Sequence, residues 1–350
     1  IGTNVLHKQN GKLDYKLISD LADQITKIRK KGHEVLVVSS GSIGAGREIF
    51  NVDESLNTLS SHQVLASIGQ ARLIQIYSDA FQKNKITVAQ ILLTRGDFGL
   101  RKSYLNIRNT LENLLKHKIV PIVNENDVVA TEELDLNFGD NDFLAVYLAA
   151  LIGADQLFLL TVAPGLLKEV STLKGKKTVV LEQVKELTEE ILKHCLPVTS
   201  AGGKGGMESK VRSAAMAMSF GIDTFIIDGK FPSNVFDILT GKKKGTHFIG
   251  RGRKIGSYQK WLAAGALNKG TLVIDAGAEN ALLKNKKSLL SKGILRVEGQ
   301  FEIKDLVEIC NVDGVRLGVG RTDFTSKELR QQIKEHFSKK DSGKKIISKP

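Results

Sequence analysis

Short apolar runs alternate with helix-like segments over the first two thirds of the chain, and this order limits the folds that it can adopt. Leu17, Leu21, Ile25 and Ile28 fall on one helical face and are followed by the apolar run 35–38. Such runs are apolar on both faces, as are the strands of a parallel sheet that has helices packed on each side. The alternation therefore predicts an α/β fold, an αβα sandwich with a mostly parallel sheet.

The same order recurs along the chain as far as residue 227. Further strands are predicted at 86–93, 119–123, 157–160 and 224–227, and further helices at 65–76, 101–117, 141–152 and 207–220. In folds of this class, ligands bind at the carboxyl ends of the strands. Three loops rich in small or polar residues follow a strand or open a helix, and they lie at 37–46, 124–142 and 202–210.

Each of the three loops carries groups suited to anions or to the partners of anions. Gly41, Gly44 and Gly46 form a turn whose backbone N–H groups can approach an anion closely. The second loop crowds carboxylates and amides together, and such groups need donors or cations beside them when they are buried. The third places Lys210 in the first turns of a predicted helix, where phosphate often binds. Together the loops predict a site for phosphate and carboxylate groups.

The formal net charge of +13 comes entirely from the C-terminal third of the chain. Of the 51 Lys and Arg and the 38 Asp and Glu residues, 24 and 11 respectively lie after residue 240, which leaves 27 of each before it. So sharp a step predicts a domain boundary, with the basic, Gly-rich segment 241–256 as a linker. We therefore expect a catalytic domain over 1–240, a second domain over 257–335 and a lysine-rich tail over 336–350.

Cysteine spacing and hydropathy restrict the class of protein further. Cys195 and Cys310 have neither CxxC nor zinc-finger spacing, so we expect a reducing, cytoplasmic environment and no metal-ligating residues. The longest apolar stretch, 143–154, is too short to cross a bilayer, and no membrane contact is expected. The chain begins at Ile1 within a strand-to-turn pattern, and we expect its native first residues to precede Ile1.

Seven motifs, in order along the chain, resemble the amino acid kinase family. They are IGTNVL, VVSSGSIGAGRE, SIGQARLIQIY, QILLTRGDF, PIVNENDVVAT, the segment from FGDND to FLLT, and GGKGGMESKVRSA. NEND followed by GDND is the most diagnostic pair, and it is similar to the glutamate-phosphorylating members of that family. The resemblance implies ATP-dependent phosphorylation of the γ-carboxylate of L-glutamate, the first step of proline biosynthesis. Because a carboxyl group with a reference pKa of about 4.3 is ionised at neutral pH, this reaction needs no general base.

The resemblance also assigns roles to particular residues. Glutamate would be held by Ser40, Gly41, Asp127, Asp140 and Asn141, with Asp127 suited to the α-ammonium group and the Asn141 amide to a carboxylate. Asp142 would orient two catalytic lysines, one of which is Lys210. The nucleotide would contact Thr161, Val162, Lys204, Gly205, Gly206, Met207, Glu208, Ser209 and Lys210. ATP would bring Mg²⁺, bound largely by phosphate oxygens, to a site that holds two anions in line.

Local structure offers a simpler explanation for each of these side chains. Ser40 could cap the helix that follows it, and Lys210 could be a solvated helix lysine. Asp127 and Asp140 could bind turn backbone, and Asp142 could cap its own helix.

The chain also departs from the family pattern. The family's first catalytic lysine stands just before IGTN, so its position would precede Ile1. The usual Thr-Asp pair of the nucleotide loop reads Thr161-Val162, and Lys204 and Ser209 replace the threonines of the last loop. The adenine and ribose contacts over 161–176 are therefore expected to differ from the family pattern.

The C-terminal part resembles a PUA domain. The segments from GTLVIDAG to CNVDG and from VRLGVG to TSKEL carry the resemblance, and runs at 271–274, 294–297 and 306–310 predict a small β-barrel. PUA domains mostly bind RNA, so RNA is an expected partner of this part of the chain. The family further implies proline as a feedback inhibitor, and we expect a homo-oligomer, either a dimer or a tetramer.

Three functional alternatives follow from these resemblances. The first is a glutamate kinase whose C-terminal domain is regulatory or architectural, and the second is a family relative acting on another carboxylate or on a nucleotide. The third is an RNA-associated protein with a vestigial kinase domain, which the basic C-terminal third and the altered nucleotide loop suggest. The presence of Asn141, Asp142 and Lys210 favours an active kinase.

Overall fold

The computed structural model describes ten segments of the chain. They are residues 1–50, 59–94, 96–99, 101–129, 140–172, 175–193, 206–250, 270–283, 288–312 and 314–338. The chain divides into two compact units, one formed by Ile1–Thr94 and Ile107–Lys254 and the other by Arg95–Asn106 and Ile255–Pro350. Within the described segments, no helix is long and apolar enough to cross a membrane.

The N-terminal part alternates helices with strands, as the sequence pattern predicts. In chain order the elements are α1 (Thr3–Leu6), α2 (Tyr15–Lys30), β1 (Val37–Val38), α3 (Ser42–Arg47), α4 (Leu59–Gln82), β2 (Val88–Leu93), α5 (Gly96–Gly99), α6 (Arg101–Lys116) and β3 (Val120–Glu125). Strands β1, β3 and β2 form a parallel sheet in that order, with Val37 opposite Ile122 and Val88 opposite Val120. Their carboxyl ends therefore lie at one edge of the sheet.

The rest of the first unit builds a second sheet. Its elements are α7 (Asp140–Ile152), β4 (Gln156–Thr161), β5 (Leu167–Thr172), β6 (Gly175–Val180), β7 (Gln183–Val184), α8 (Glu189–Lys193), α9 (Met207–Ser219), β8 (Asp223–Asp228), α10 (Ser233–Leu239) and β9 (Thr246–Phe248). The strand order is β4-β8-β9-β7, with β4 parallel to β8 and β9 antiparallel to β8. Strands β5 and β6 pair as a separate antiparallel hairpin. The predicted α/β architecture with parallel strands is confirmed.

The first two residues of the chain connect the two sheets. The Ile1 amino group donates to the Val38 carbonyl at 2.7 Å, and the Ser40 amide donates back to the Ile1 carbonyl at 3.1 Å. On the other side, the Gly2 amide donates to the Leu160 carbonyl at 3.5 Å. One buried apolar cluster accordingly includes residues of β1 and β3 from the first sheet and of β4 and β8 from the second.

Strand β9 lies inside the segment that the charge step marks as a linker. Phe248 is fully buried, and the Thr246 hydroxyl accepts a hydrogen bond from the Leu166 amide at 2.8 Å. The first half of 241–256 thus belongs to the sheet of the first unit, because β9 pairs with both β8 and β7. A strand of only three residues in a basic segment has no apolar periodicity, so the sequence pattern did not predict β9.

In the second unit, the C-terminal elements form a mixed sheet with one helix against it. They are β10 (Gly270–Ile274), α11 (Ala276–Leu283), β11 (Ile294–Gly299), β12 (Leu306–Cys310), β13 (Arg316–Arg321) and α12 (Ser326–Ser338). The strand order is β11-β10-β12-β13, and only the central pair, β10 and β12, is parallel among these described strands. Leu329 of α12 is buried in the same apolar cluster as Leu272 and Val307. Strands at all three predicted runs are confirmed, while closure into a barrel stays a prediction.

Candidate active site

The turn after β1 is held in place by close packing of α3 on α4. Gly41 precedes α3 with a φ of 112°, a left-handed conformation that favours glycine. A Cβ atom on Gly69 of α4 would lie 1.8 Å from the Ser42 carbonyl oxygen, so the two helices touch through their backbones. The Ser39 hydroxyl also pairs with the Tyr77 hydroxyl of α4 at 2.8 Å, and burial raises the pKa of Tyr77 to about 12. The serine and glycine backbone of this turn is therefore fixed before any ligand binds.

A hydroxyl and three side-chain amides meet at the carboxyl ends of β1 and β3. Asn141, in the first turn of α7, donates from Nδ2 to the Ser40 hydroxyl at 2.8 Å and to Asn124 Oδ1 at 3.1 Å. Asn124 lies in β3, is 2% exposed and donates from its own Nδ2 to Gln70 Oε1 at 2.8 Å. We call Ser40, Asn124, Asn141 and Gln70 the amide cluster. It brings together two predicted substrate residues, Ser40 and Asn141.

Asp127 lies in the loop after β3. Its Oδ2 accepts a hydrogen bond from the Ser42 hydroxyl at 2.8 Å, which joins this loop to the start of α3. An ionised carboxylate has about four acceptor positions, a chemistry that suits a ligand cation. Asp140 opens α7, but its side chain lies outside the described part of the structure.

An enclosed ion pair lies next to the amide cluster, because Asp142 follows Asn141 in α7. Lys210 of α9 donates to Asp142 Oδ2 at 2.9 Å, and the two side chains are only 10% and 13% exposed. The Ser209 hydroxyl donates to the same carboxylate oxygen at 3.3 Å. This low exposure does not agree with the alternative of a solvated lysine, and Asp142 has partners on α9 beyond any capping of its own helix. The lysine ammonium is thus held in a site of low exposure by a carboxylate from another helix.

The Ile1 amino group lies beside this ion pair. Burial lowers its pKa to about 6 from a usual value near 8.0, while the Asp142 carboxylate raises it and the Lys210 ammonium lowers it further. A Cβ atom on Gly2 would lie 3.9 Å from Lys210 Nζ. The IGTN motif therefore runs directly past the charged part of the site.

The predicted nucleotide residues are only partly described. Thr161 ends β4, its carbonyl accepts from the Gly229 amide at 2.7 Å, and the neighbouring Val162 is 49% exposed. Gly206 and Met207 form the start of α9, and Glu208 pairs with Arg212 on an exposed face of that helix. Lys204 and Gly205 lie outside the described residues.

Within the described segments, no three His, Cys, Asp or Glu side chains lie together as a metal ion would need.

Three contributors to the site were not predicted from the sequence as site residues. Asn124 stands inside the NEND motif, so the motif itself signals it. Ser42 and Gln70 carry no such signal, since a serine after a glycine turn and a glutamine in an apolar-periodic helix are both common. Their positions depend on the contact between α3 and α4.

Comparison with known proteins identifies the class to which this fold and site belong. Residues 1–228 match the amino acid kinase family, and residues 270–341 match the PUA domain. Since the first match spans more than half of the chain, the protein belongs to the amino acid kinase family.

Curated relatives identify the subgroup of the amino acid kinase family to which the chain belongs. A glutamate 5-kinase of Dehalococcoides mccartyi (strain CBDB1) is 40% identical over 330 residues, which are 94% of this chain and 88% of the relative. Glutamate 5-kinases of Caldanaerobacter subterraneus subsp. tengcongensis and Thermosynechococcus vestitus are each 39% identical over 95% of this chain and cover 88% and 89% of the relatives. Within the amino acid kinase family, the chain belongs to the glutamate 5-kinases, and the resemblance inferred from NEND and GDND is confirmed.

Proposed function

We propose that this chain transfers the γ-phosphoryl group of ATP to the γ-carboxylate of L-glutamate, the first step of proline biosynthesis. The observation that carries the proposal is the enclosed pair of Lys210 and Asp142 directly beside the amide cluster. Its relatives named glutamate 5-kinase, at about 40% identity over nearly the whole chain, support it.

The reaction requires charge and position more than proton transfer. A carboxylate oxygen of glutamate attacks the γ-phosphorus, the bond from phosphorus to the bridging oxygen breaks, and ADP leaves with that electron pair. The attacking group is already ionised, so the site must hold two anions in line and offset the charge spread over the transferring group. A lysine that a carboxylate fixes in a nearly enclosed site is suited to this role, because its charge needs no rearrangement during the reaction.

The substrate side of the site is proposed to be the turn of Ser40 and Gly41 with Asp127, Asn141 and Asp140. The Ser40 oxygen accepts from Asn141, which leaves its own O–H to donate to a ligand oxygen. Asp127 supplies a carboxylate for the α-ammonium group, oriented by the Ser42 hydroxyl.

The nucleotide side is proposed to involve Thr161, Val162 and the segment 204–210, which includes Gly206, Met207, Glu208 and Ser209. Support comes from α9, a helix of 13 residues whose start follows this segment and whose first turns carry Lys210. Mg²⁺ would arrive as part of the nucleotide substrate, coordinated mainly by its phosphate oxygens.

The decisive experiment is an acyl-phosphate trap. The chain is incubated with ATP, Mg²⁺, hydroxylamine and one of three carboxylate acceptors: L-glutamate, L-aspartate or N-acetylglutamate. Because nucleoside monophosphates form no hydroxamate, ADP formation is measured for them instead. A hydroxamate formed from L-glutamate and from no other acceptor supports the proposal. Formation of product only from another acceptor would assign the chain to that acceptor instead.

Contacts beyond the two substrates are proposed from the second unit and the family. The net charge of +13 after residue 240 favours RNA as a partner of the C-terminal part. We further propose feedback inhibition by proline, a dimeric or tetrameric assembly and a cytoplasmic location.

A further inference from the structure

The orientation of the Asn124 side-chain amide is fixed by the backbone. The Glu125 amide donates to Asn124 Oδ1 at 2.9 Å, and a backbone N–H can only donate. The other end of the Asn124 amide must therefore be the NH₂ group, and it faces Gln70 Oε1 at 2.8 Å. Since Asn124 is 2% exposed, both ends of this amide need protein partners.

This orientation determines how Asn141 faces a ligand. Asn124 Oδ1 lies 3.1 Å from the Asn141 amide, so Asn141 must present its NH₂ group there, and the same NH₂ group donates to the Ser40 hydroxyl at 2.8 Å. Both N–H groups of Asn141 are then used within the protein. The remaining atom, Asn141 Oδ1, is buried and has no hydrogen-bond partner among the described residues.

An unpartnered buried carbonyl oxygen favours a ligand that donates. Such a group costs free energy until it receives a hydrogen bond, and a cationic donor gives a stronger bond than a neutral one. A carboxylate, which only accepts, would meet this oxygen unfavourably. In this arrangement the free oxygen of the Asn141 amide matches an ammonium group, whereas the carboxylate expected from the sequence would need the NH₂ end of the amide.

We propose that Gln70 is a positioning residue which, through Asn124, holds the Asn141 carbonyl toward the α-ammonium group of the acceptor amino acid. Gln70 lies in α4, next to Gly69, whose backbone touches the start of α3. Gln70 reaches β3 through its own side chain, whose Oε1 accepts from Asn124 Nδ2 at 2.8 Å. The proposal rests on the proposed binding of glutamate at Ser40 and Asn141.

Three variants of the full chain test whether Gln70 acts on Asn141 through Asn124. Gln70→Met removes the acceptor for Asn124 while keeping a side chain of similar length, and Gln70→Glu keeps an acceptor oxygen at the same reach. Gln75→Met is the matched control, because Gln75 lies on the same helix and its side chain makes an exposed hydrogen bond to Asp79. Circular dichroism and thermal unfolding establish that each variant is folded.

The measurement compares L-glutamate with glutarate, the same dicarboxylate without the amino group. Binding by calorimetry and kcat/KM in the hydroxamate assay are determined for both acceptors, together with KM for ATP. Gln70→Met is expected to reduce the preference for glutamate over glutarate roughly tenfold or more, since one hydrogen bond to a charged group is lost. The glutarate values and KM for ATP should stay near wild type, and Gln70→Glu should restore most of the preference.

Two results would overturn the proposed positioning role of Gln70. One is an unchanged preference for glutamate in Gln70→Met, and the other is an equal loss for both acceptors in Gln70→Met and Gln70→Glu, which a purely structural role predicts. Failure of the proposed function looks different: the wild-type chain would bind glutamate in preference to glutarate yet form no hydroxamate. In that case the binding preference alone decides whether Gln70 acts as proposed.

Discussion

We expect the pair of Lys210 and Asp142 to matter for catalysis through its fixed position, more than for the stability of the fold. Both side chains are nearly enclosed, and taking two charges out of water offsets much of their attraction. We expect Lys210→Ala to lower kcat by about 10²–10³-fold, the usual cost of losing one preorganised group aimed at transition-state charge. KM for glutamate should change far less, because the lysine is expected to act on the transferring phosphoryl group.

Steady-state kinetics with varied glutamate and varied ATP measure this effect. Lys243→Ala is a suitable control, since Lys243 also pairs with a carboxylate, Glu182, at 3.5 Å but is 84% exposed. Its kcat should match wild type. A Lys210→Ala enzyme with wild-type turnover would remove Lys210 from the phosphoryl-transfer step.

Substitution of Asn141 is expected to change KM for glutamate more than kcat, the reverse of the effect expected for Lys210→Ala. Asn141→Ala removes two hydrogen bonds within the amide cluster and the carbonyl oxygen that faces the ligand. The substrate uses these contacts in both the ground state and the transition state, so KM for glutamate should rise more than kcat falls. KM for ATP serves as the internal reference and should stay within about twofold. If only KM for ATP changed, the glutamate and nucleotide sides of the site would be reversed.

At the scale of elements, the contact between α3 and α4 sets the geometry of the substrate turn. A methyl group on Gly69 would meet the Ser42 carbonyl at 1.8 Å, so Gly69→Ala must separate the two helices. Overpacking of this kind typically costs about 1–3 kcal/mol, more than the helix propensity of about 1 kcal/mol that alanine gains over glycine. We expect a lower midpoint of chemical unfolding and a higher KM for glutamate.

Ser67→Ala provides the control for this helix. Ser67 is exposed, and its hydroxyl donates to the Gln63 carbonyl of the same helix. Its free energy of unfolding should stay within about 0.5 kcal/mol of wild type. Wild-type stability and KM in Gly69→Ala would show that α3 can move without affecting the turn.

The elements differ in how well local sequence predicts them. Helices at 101–117, 141–152 and 207–220 appear within one residue of their predicted ends. The first and third have an apolar period that indicates the buried face, whereas residues 144–151 of the second are all buried. Strand β9 was missed, since three residues in a basic segment carry no period and are ordered only by β7 and β8. Motifs predicted Ser40 and Asn141, whereas Gln70 depends on packing between α3 and α4 that no local pattern encodes.

At the scale of the whole molecule, charge is divided unequally along the chain. Residues before 241 are balanced, and all of the net +13 follows them. Solvation of its charges alone is enough to explain a lysine-rich end. The salt dependence of RNA affinity distinguishes that explanation from phosphate binding. Phosphate contacts release counterions, and each one contributes about 0.7 to the slope of log affinity against log salt for single strands.

The last prediction compares two sets of five lysine-to-glutamine substitutions in the full chain. One set neutralises the tail lysines Lys339, Lys340, Lys344, Lys345 and Lys349, and the other neutralises five exposed lysines of the first unit, Lys8, Lys12, Lys27, Lys83 and Lys116. Fluorescence anisotropy with single-stranded RNA at several salt concentrations should show weaker binding and a smaller slope for the tail set only. Kinase activity should stay near wild type in the tail set. Equal loss of RNA affinity in both sets would mean that binding follows total charge, and an unchanged slope in the tail set would exclude these lysines from the contact.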